Sequence, residues 1–513
     1  MLNAKKITAM TLSGILALGA LSGCGEKKQT AGGDNEAVEM TMHMHFFGYC
    51  VFDDEWPVFQ EAAKRTGVSI KGTAVETVSD SAQAFSTMLA DKKLPDIIHY
   101  QTSELNEIGP DGALIPLDDL IEEHAPNIKK FFEDAPEVKA AATAGDGHIY
   151  SIPGTLAPVG SKGLPSQGFF IRQDWLDKLG LETPKTVDEF YNVLKAFREQ
   201  DPNGNGKQDE IPYFDREGLA NNLYQLFDAH AGQFIKDGKI VDGRITEEYK
   251  NAIREVAKWY KEGLVDPEIF TRGQQSREQL LSTNLGGSTH DWFSSTASYN
   301  DKYPEVGLEF ITMLPPADVN GVVKEDIGRS LLHGLAWGIS KDNADPVRTI
   351  KYFDWWLSEE GIALKSNGIE GVHYNMVDGQ LVFTDEVMNA DGGAPGYMRN
   401  QGCVEIGSIT TLDCELAGMN QIGKDGFNSY NEAGIITEPM PILSYSQEEL
   451  DVKNQFETNV NTYAKEQEQK WIMGAEDVDA TWDAYVAQLK TMGIDDLTAA
   501  AQSAYDRYLE STK

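Results

Sequence analysis

The sequence predicts an α/β fold, in which helices alternate with the strands of a largely parallel sheet. Three observations carry this prediction. Met40, Met42 and Met44 alternate with polar residues, which is the period of a β-strand. The apolar residues of 55–66 have helical spacing, and Gly67 follows as a C-terminal cap. A second strand, helix and strand then follow up to residue 98, as in α/β proteins.

The later segments extend this pattern along the chain. A turn, a short strand and a proline stop occupy 145–153, and the Gly- and Pro-rich stretch 154–168 indicates a crossing between lobes. A capping box begins at Thr186 and predicts the start of a helix. The remaining predicted elements are a strand at 169–172 and helices at 174–179, 247–262, 346–360, 448–472, 481–492 and 497–509.

Length and charge limit the classes of function. A chain of 513 residues suits two or three domains or two large lobes. The formal net charge of −37 leaves no basic footprint for nucleic acid, so no nucleic-acid partner is expected. An acidic surface of this kind favours solubility.

Residues 1–24 predict secretion and anchoring. Lys5 and Lys6 precede an apolar segment that is too short to span a bilayer but suits a signal peptide over 1–23. The Leu-Ser-Gly-Cys sequence that ends at Cys24 resembles the lipobox of bacterial lipoproteins, in which this cysteine takes a diacylglycerol group and becomes the N-terminus. Two acyl chains give stable membrane attachment. The alternative is an ordinary secretory signal with a chance cysteine. The polar segment 24–37 that follows the signal peptide is predicted to be a flexible tether.

The other cysteines, Cys50, Cys403 and Cys414, do not make a disulfide framework. Cys403 and Cys414 form one possible pair, and free buried thiols are the alternative.

The sharpest chemical motif is a candidate calcium loop. Oxygen-bearing side chains alternate at Asp201, Asn203 and Asn205, with Gly206 at the sixth position and the Lys207 carbonyl at the seventh, as a calcium loop requires. An EF-hand would place a glutamate at position twelve, where this chain has Pro212.

Two acidic residues near the end of this loop compensate for the missing glutamate. Asp209 and Glu210 supply the remaining carboxylates, and the ion would be structural. An Asn-Gly-rich surface turn is the alternative.

No familiar catalytic motif is present. The sequence contains no nucleophile elbow, P-loop or His-Glu-x-x-His motif. His43 and His45 would share a strand face, either as zinc ligands or, as we expect, as polar residues at a strand end that faces a cleft. A glycosidase carboxylate pair is an open alternative because acidic residues are so numerous.

Aromatic residues outside helical core patterns suggest a sugar site. Sites for sugars combine flat aromatic platforms with a few polar groups in a cleft. Trp292 and Trp337 lie in Gly-rich surroundings, Tyr150 precedes a proline stop, and Tyr374 closes a Gly-containing turn. Together with His45, these residues are the predicted ligand-binding residues, with a place in the core as the alternative for each aromatic.

The chain resembles the extracellular solute-binding proteins of family 1, the substrate-capturing lipoproteins of ABC importers. It is most similar to the subgroup that includes alginate- and other oligosaccharide-binding proteins. The matching phrases follow one another over nearly the whole mature chain, at 94–98, 147–153, 172–180, 201–210, 355–361, 368–374 and 482–489.

This resemblance implies a periplasmic-binding-protein-like fold of type II, with two α/β lobes joined by a hinge that closes on ligand. The expected lobes are 38–160 plus 308–375 and 161–307 plus 376–513. The calcium roles of Asp201, Asn203, Asn205, Lys207, Asp209 and Glu210 are also supported by relatives.

The expected function is capture of an oligosaccharide for a membrane permease that has cytoplasmic ATPases as partners. The protein is expected to be a monomer without enzymatic activity, anchored at the extracellular face of the cytoplasmic membrane. A receptor for peptides or another solute and a surface carbohydrate-active enzyme are the alternatives.

Overall fold

The computed structural model describes residues 37–75, 77–161, 163–216, 221–390 and 393–512. The predicted signal peptide, Cys24 and all but the last residue of the predicted tether lie outside these residues. The strands are β1 (Val38–Phe46), β2 (Cys50–Val51), β3 (Val68–Gly72), β4 (Ile97–Gln101), β5 (Ser151–Thr155), β6 (Leu164–Pro165), β7 (Gln167–Arg172), β8 (Ile211–Tyr213), β9 (Gln233–Lys236), β10 (Lys239–Asp242), β11 (Gly286–Trp292), β12 (Phe310–Met313), β13 (Gly328–Arg329), β14 (Leu332–Ile339), β15 (Tyr374–Val377) and β16 (Gln380–Phe383).

Helices cover both sheets and make up most of the C-terminal third of the chain. The α-helices are α1 (Pro57–Thr66), α2 (Ser81–Leu89), α3 (Thr102–Ile108), α4 (Asp118–His124), α5 (Pro126–Asp134), α6 (Pro136–Ala142), α7 (Gln173–Leu179), α8 (Val187–Glu199), α9 (Glu247–Lys261), α10 (Ser276–Ser282), α11 (Phe293–Thr296), α12 (Tyr299–Lys302), α13 (Pro346–Trp355), α14 (Glu359–Asn367), α15 (Asp385–Met388), α16 (Gly393–Asn400), α17 (Leu412–Ala417), α18 (Gln421–Ala433), α19 (Gln447–Ile472), α20 (Val478–Thr491) and α21 (Ile494–Ser511). Of the described helices, none combines the length and the apolar character needed to cross a membrane.

The first sheet has the strand order β3–β1–β4–β14–β5, with the short β2 paired to the end of β1. β1 runs parallel to β3 and β4, whereas β14 is antiparallel to both β4 and β5. Its core contains Trp337, Phe353 and Trp356, all fully buried. The final residues of β1 are buried on both faces, which is typical of a strand between two helical layers.

The second sheet has the order β12–β7–β11–β8. β7 is antiparallel to both β11 and β12, and only β8 is parallel to β11. The predicted α/β architecture with two lobes is confirmed. The first sheet is largely parallel, as expected, since β1, β3, β4 and β5 run in one direction and only β14 and the short β2 run against them. In the second sheet β7, which enters after a crossing, runs against both of its neighbours.

Two segments of chain lead from a strand of one sheet to a strand of the other, and the chain crosses a third time between Ile406 in the first core and α18, which packs on β12. One runs from Thr155, the last residue of β5, to Gln167, the first residue of β7, and the other runs from Met313 in β12 to Leu332 in β14. The short strands β6 and β13 lie in these two segments and pair antiparallel with each other. A two-stranded ribbon therefore lies between the lobes, where a hinge is expected.

Strand pairing and core contacts alter the expected lobe boundaries. β12 pairs with β7 in the second sheet, so the return to the first sheet follows Met313 instead of starting at 308. Val404 and Ile406 are buried in the core of the first sheet, although 376–513 was expected to lie wholly in the second lobe. The long α19 packs against α9 and α21, and its Val460 and Trp471 belong to the core of the second sheet.

Candidate binding cleft and metal loop

The direction of the strands defines which edges of the two sheets face each other. β1, β4 and β5 run in the same direction, so their carboxyl ends lie at one edge of the first sheet, beside the start of β14. In the second sheet, the start of β7 lies beside the ends of β8, β11 and β12. Because both connecting segments join these two edges, we expect the ligand cleft between them, with the residues that follow the strand ends as its walls.

The wall of the first lobe has an exposed aromatic turn. Phe46 pairs with Cys50, and the three-residue loop between them contains Phe47 and Tyr49. Phe47 is 47% exposed and Tyr49 is 68% exposed, and their ring centroids are 6.2 Å apart. Phe47 has a φ of 56°, a left-handed conformation that is unusual for a bulky residue.

His45 holds this turn in place from inside. Its Nδ1 lies 2.9 Å from Ser81 Oγ and its Nε2 lies 2.6 Å from the Val78 carbonyl oxygen. The same Ser81 hydroxyl accepts the Gly48 N–H at 2.9 Å. His45 is fully buried and both of its ring nitrogens are engaged, so the prediction that it contacts ligand is corrected to a role in positioning Phe47 and Tyr49.

Behind the turn lies a partly buried polar group. Phe47 packs against His333 at the start of β14, with ring centroids 6.1 Å apart. Burial lowers the pKa of His333 to about 4, so its ring is neutral at pH 7. His333 Nδ1 accepts the Leu335 N–H at 3.2 Å, so the ring proton is on Nε2.

Arg399 and Glu405 lie next to His333. Arg399 Nη2 donates to Glu405 Oε1 at 3.1 Å, and the Glu405 carbonyl oxygen lies 2.6 Å from His99 Nε2. Burial would raise the pKa of Glu405, but the charge of Arg399 and its hydrogen bond to the carboxylate outweigh burial, and the pKa is lowered.

The wall of the second lobe begins with Trp292, the last residue of β11, which is half-buried. Next to it, Asp291 is almost fully buried and lies 3.1 Å from Arg216 Nε and 3.4 Å from Arg277 Nε. Asp215 follows the end of β8 and accepts a hydrogen bond from Asn222 Nδ2 at 2.6 Å. Trp292 is therefore the one predicted aromatic that the fold places at the cleft edge with an accessible ring.

A buried ion pair lies below this wall. His290 Nε2 and Glu325 Oε2 are 3.0 Å apart, and neither side chain is exposed. Burial alone would lower the pKa of His290, but Glu325, with Asp215 and Asp291, outweighs it and the pKa is raised. Glu325 lies in the connecting segment before β13, so the pair joins the second sheet to the hinge.

A second ion pair lies in the hinge itself. Arg329 of β13 donates through both terminal nitrogens to Glu415 of α17, and it also donates to the Leu156 carbonyl oxygen at 3.0 Å. Both side chains are mostly buried. Arg329 therefore ties both connecting segments to α17.

Three predicted ligand-binding aromatics are core residues in this conformation. Trp337 is fully buried and stacks on Phe353 with centroids 4.4 Å apart. Tyr150 packs over Gly109 at the start of β5, away from the cleft edge, and its hydroxyl donates to Asp146 at 2.8 Å. Tyr374 packs with Phe383 and its neighbours in a separate cluster. None presents a ring face to a ligand, and the prediction is corrected for all three.

The Asp201–Glu210 loop follows α8 and is held by its own polar side chains. Asp201 accepts the N–H groups of Asn205 and Gly206 at 3.0 Å each, and Asn203 and Asn205 Oδ1 accept the N–H groups two residues further on. Left-handed φ values at Asp201, Gly204 and Gly206 allow the loop to turn this tightly. The Asn203 and Asn205 amide groups both donate to Asp209.

Glu210 gives the clearest sign of a cation. It is fully buried, and neither carboxylate oxygen has a hydrogen-bond partner among the described residues. Burial raises the pKa of Glu210, and the negative charges of Asp201 and Asp209 add to the rise. The backbone N–H groups of Glu210 and Asn203 lie near enough to lower the pKa in part, but they do not offset burial. A buried carboxylate without a partner is costly unless it is neutralised or binds a cation.

The donor set suits a hard cation. No three His, Cys, Asp or Glu side chains among the described residues are grouped closely enough to hold a metal by themselves. The loop instead combines carboxylates with Asn amide oxygens and a backbone carbonyl, which calcium accepts and zinc does not favour. The residues fit calcium, and the zinc alternative for His43 and His45 loses its support.

Cys50, Cys403 and Cys414 are all free thiols. Burial raises the pKa of each thiol, to about 12 for Cys50 and Cys414. They are therefore protonated and unreactive at neutral pH.

Two α/β lobes joined by a two-stranded ribbon, with polar and aromatic groups at the sheet edges beside the ribbon, have the architecture of a hinged binding protein. The chain belongs to the bacterial extracellular solute-binding proteins, whose family model matches residues 53–363.

Two relatives of known name match much of the chain. It is 28% identical over 497 residues to the fructooligosaccharide ABC transporter substrate-binding protein FusA of Streptococcus pneumoniae, and the aligned region covers 88% of this chain and 87% of FusA. It is 26% identical over 350 residues to the lipoprotein LipO of Bacillus subtilis, and the aligned region covers 64% of this chain and 66% of LipO.

Two solved structures have the same fold. The alginate-binding protein AlgQ2, solved without calcium ion, has a TM-score of 0.82 and 34% identity, with 92% of this chain and 98% of that chain covered. An EF-hand mutant of S. pneumoniae FusA in complex with fructo-nystose has a TM-score of 0.74 and 25% identity, with 92% of this chain and 100% of that chain covered. FusA is thus a substrate-binding protein of an ABC transporter, and AlgQ2 is an alginate-binding protein.

Sequence reasoning missed Phe47, Tyr49, His333 and the Arg–carboxylate pairs. The sequence does indicate the aromatic turn, because Phe47 and Tyr49 flank Gly48 directly after a predicted strand. The charged pairs join residues far apart in the chain, which no local pattern reveals.

Proposed function

We propose that this protein is the substrate-binding component of an ABC importer and captures an oligosaccharide between its two lobes. The observation that carries the proposal is the pair of facing sheet edges. One edge presents exposed aromatic rings, and both edges present partly buried Arg–carboxylate pairs. Sugar rings offer apolar C–H faces and hydroxyl groups, which match aromatic platforms and such polar groups. FusA and AlgQ2 support the choice of oligosaccharide.

Binding would work by closing the hinge. A ligand that contacts both walls stabilises the closed arrangement over the open one by its extra contacts in that state. Phe47 and Trp292 lie on opposite walls, so a ligand held by both requires the lobes to approach. The closed form then docks on a membrane permease, whose cytoplasmic ATPases supply the energy. This chain would act as a monomer without catalysis.

The Asp201–Glu210 loop is proposed to hold a structural calcium ion. Asp201, Asn203, Asn205, the Lys207 carbonyl, Asp209 and Glu210 would be the ligands. The ion would neutralise the buried Glu210 carboxylate and fix the loop between α8 and β8. AlgQ2, solved without calcium ion, and FusA, solved as an EF-hand mutant, support this assignment.

Cys24 is proposed to carry the lipid that anchors the protein at the extracellular face of the cytoplasmic membrane. The lipobox-like sequence supports it, as does the lipoprotein relative LipO. We further propose that the first lobe comprises roughly 38–155 and 332–406, and that the other described residues belong to the second lobe and the hinge. Labelling of whole cells with a palmitate analogue, compared between wild type and Cys24→Ala, tests the anchor.

The function is tested by thermal shift with a panel of oligosaccharides, peptides and monosaccharides. An increase in Tm with at least one oligosaccharide and with no peptide is the expected result. An increase with peptides alone supports the other receptor class, and breakdown of an oligosaccharide during incubation supports the enzyme alternative.

A further inference from the structure

Phe47 has an unusual backbone conformation for its residue type. All other non-glycine residues with a left-handed φ are Asp or Asn, whose short polar side chains tolerate this conformation, whereas Phe47 has a bulky ring. Backbone strain of this kind persists only where the surrounding structure enforces it, and it clusters at binding sites. Here His45 and Ser81 enforce it by holding the turn on both sides.

The strain places an apolar ring in solvent at the cleft edge. Nearly half of Phe47 is exposed, and Tyr49 extends the same surface. The ring of Phe47 rests on Phe46 at 4.9 Å and on His333 at 6.1 Å, so its inner side is supported and its outer side is free. We call Phe47 and Tyr49 the aromatic shelf.

A hydrogen-bond donor lies beside the shelf. The proton of His333 is on Nε2, and this nitrogen makes no hydrogen bond within the described chain. A neutral imidazole N–H suits a sugar hydroxyl oxygen, whereas a carboxylate would be better matched by a charged donor.

The arginines at the cleft edges already have carboxylate partners. Arg399 pairs with Glu405, and both Arg216 and Arg277 pair with Asp291. In the hinge, Arg329 pairs with Glu415. An anionic ligand would have to displace these carboxylates to reach the guanidinium groups.

Lys365 is the cation near the hinge that has no carboxylate within ion-pair distance in the described chain. It is buried, donates to Thr410 Oγ1, and has its pKa lowered by burial. Its ammonium group is therefore not presented to the cleft as a free charge.

We propose that the cleft takes a neutral oligosaccharide and that one of its sugar rings stacks on Phe47 of the aromatic shelf. A hydroxyl oxygen of the same sugar accepts a hydrogen bond from His333 Nε2. Other hydroxyl groups bind the Arg–carboxylate pairs, which offer hydrogen-bond donors and acceptors together. This inference rests on the proposed function and adds to it the charge class of the ligand and the residue that stacks.

The experiment is titration calorimetry of the calcium-loaded protein without its signal peptide. The neutral probes are kestose, raffinose, maltotriose and cellotriose, and the acidic probes are trigalacturonate and trimannuronate. The variants are Phe47→Gly, Phe47→Tyr and Asp237→Gly. Asp237 lies in the β9–β10 turn with a φ of 52°, so its glycine variant relieves a left-handed residue away from the shelf.

A neutral probe is expected to bind with a Kd that changes less than about twofold between roughly 50 and 500 mM NaCl. Phe47→Gly should weaken this binding about tenfold or more, as loss of a stacking contact does, while its Tm stays at or above that of wild type because glycine accepts the left-handed φ. Phe47→Tyr and Asp237→Gly should bind within about threefold of wild type.

Each contrary result overturns one named part of the proposal. Binding of the acidic probes alone overturns the neutral class and leaves the proposed function intact. Unchanged affinity in Phe47→Gly overturns the stacking role. Binding of no oligosaccharide, neutral or acidic, overturns the proposed function itself.

Discussion

His290 Nε2 lies 3.0 Å from Glu325 Oε2, and the contact joins β11 of the second sheet to the segment that leads back into the first lobe. Both side chains are fully buried. The pair therefore places a charge-dependent contact where the second lobe meets the hinge, directly under Asp291 and Trp292.

This contact predicts a pH-dependent loss of stability in Glu325→Gln. The raised pKa of His290 means that the pair contributes fully below the ordinary histidine pKa of about 6.5 and less as pH rises through the raised value. The variant should lose about 3 kcal/mol at about pH 6 and less at about pH 9, since removing one partner leaves a buried charge. Urea unfolding at both pH values measures this, with Asp134→Asn in the exposed Lys130 pair as control. An equal loss at both pH values contradicts it.

Glu210 predicts opposite effects of one substitution with and without calcium. In chelator, Glu210→Gln should be more stable than wild type by about 1 to 3 kcal/mol at neutral pH, because it removes a buried carboxylate without a partner. The raised pKa of Glu210 also makes the calcium-free wild type lose stability as pH rises above the ordinary glutamate value of about 4.3. Calcium should raise the wild-type Tm by about 5 °C or more.

The calcium effect should be absent in Glu210→Gln and retained in the control Glu182→Gln, which changes an exposed glutamate before α8. Thermal unfolding with and without calcium measures both. If chelator and calcium leave the wild-type Tm unchanged, the metal assignment fails.

Trp292 and Trp337 predict a contrast between a cleft residue and a core residue. Trp292→Ala should weaken ligand binding about tenfold with a small change in Tm, because its ring is half-buried at the cleft edge. Trp337→Ala should lose about 3 to 5 kcal/mol of stability, because it leaves a cavity beside Phe353. Titration and urea unfolding on the same samples separate the effects. Weak binding by a fully folded Trp337→Phe would contradict a core role.

Glu449 predicts a stabilising contact that acid removes. Burial would raise its pKa, but Arg507 of α21, with Ser503 and the Ser446 N–H, lowers it to about 2. The stability that this carboxylate contributes, about 2 kcal/mol at neutral pH, should be lost as pH falls from about 4.5 towards that value. Glu449→Gln should lower stability at neutral pH and flatten the acid dependence, whereas Glu448→Gln, on the exposed side of α19, should do neither. Identical acid profiles for both variants would contradict the role of the pair.

Local patterns predicted what is local. The Asp201–Glu210 loop was recognisable because its oxygen-bearing side chains and glycines lie within ten consecutive residues, and the structure adds that both carboxylate oxygens of the buried Glu210 have no hydrogen-bond partner among the described residues. The Thr186 cap and the C-terminal helices were likewise encoded by nearby residues.

The site residues were harder to predict because exposure depends on the whole fold. Trp337 lies between glycines, which suggested an open loop, yet Gly338 and Gly407 are small because backbone and ring atoms pack against them in the core. His45 lies one residue before the end of β1, at the edge where the cleft is expected, but its ring turns inward to Val78. Arg399 and Glu405 meet His333 across more than sixty residues of sequence, so only the folded chain reveals them.

Titration calorimetry of the calcium-loaded protein with oligosaccharides, followed by chromatography of the recovered sugar, tests the central claim most directly. A saturable heat with one ligand per chain and an unchanged oligosaccharide is the result expected of a hinged receptor. Heat that continues as the sugar is broken down, or no heat with any oligosaccharide, would contradict it.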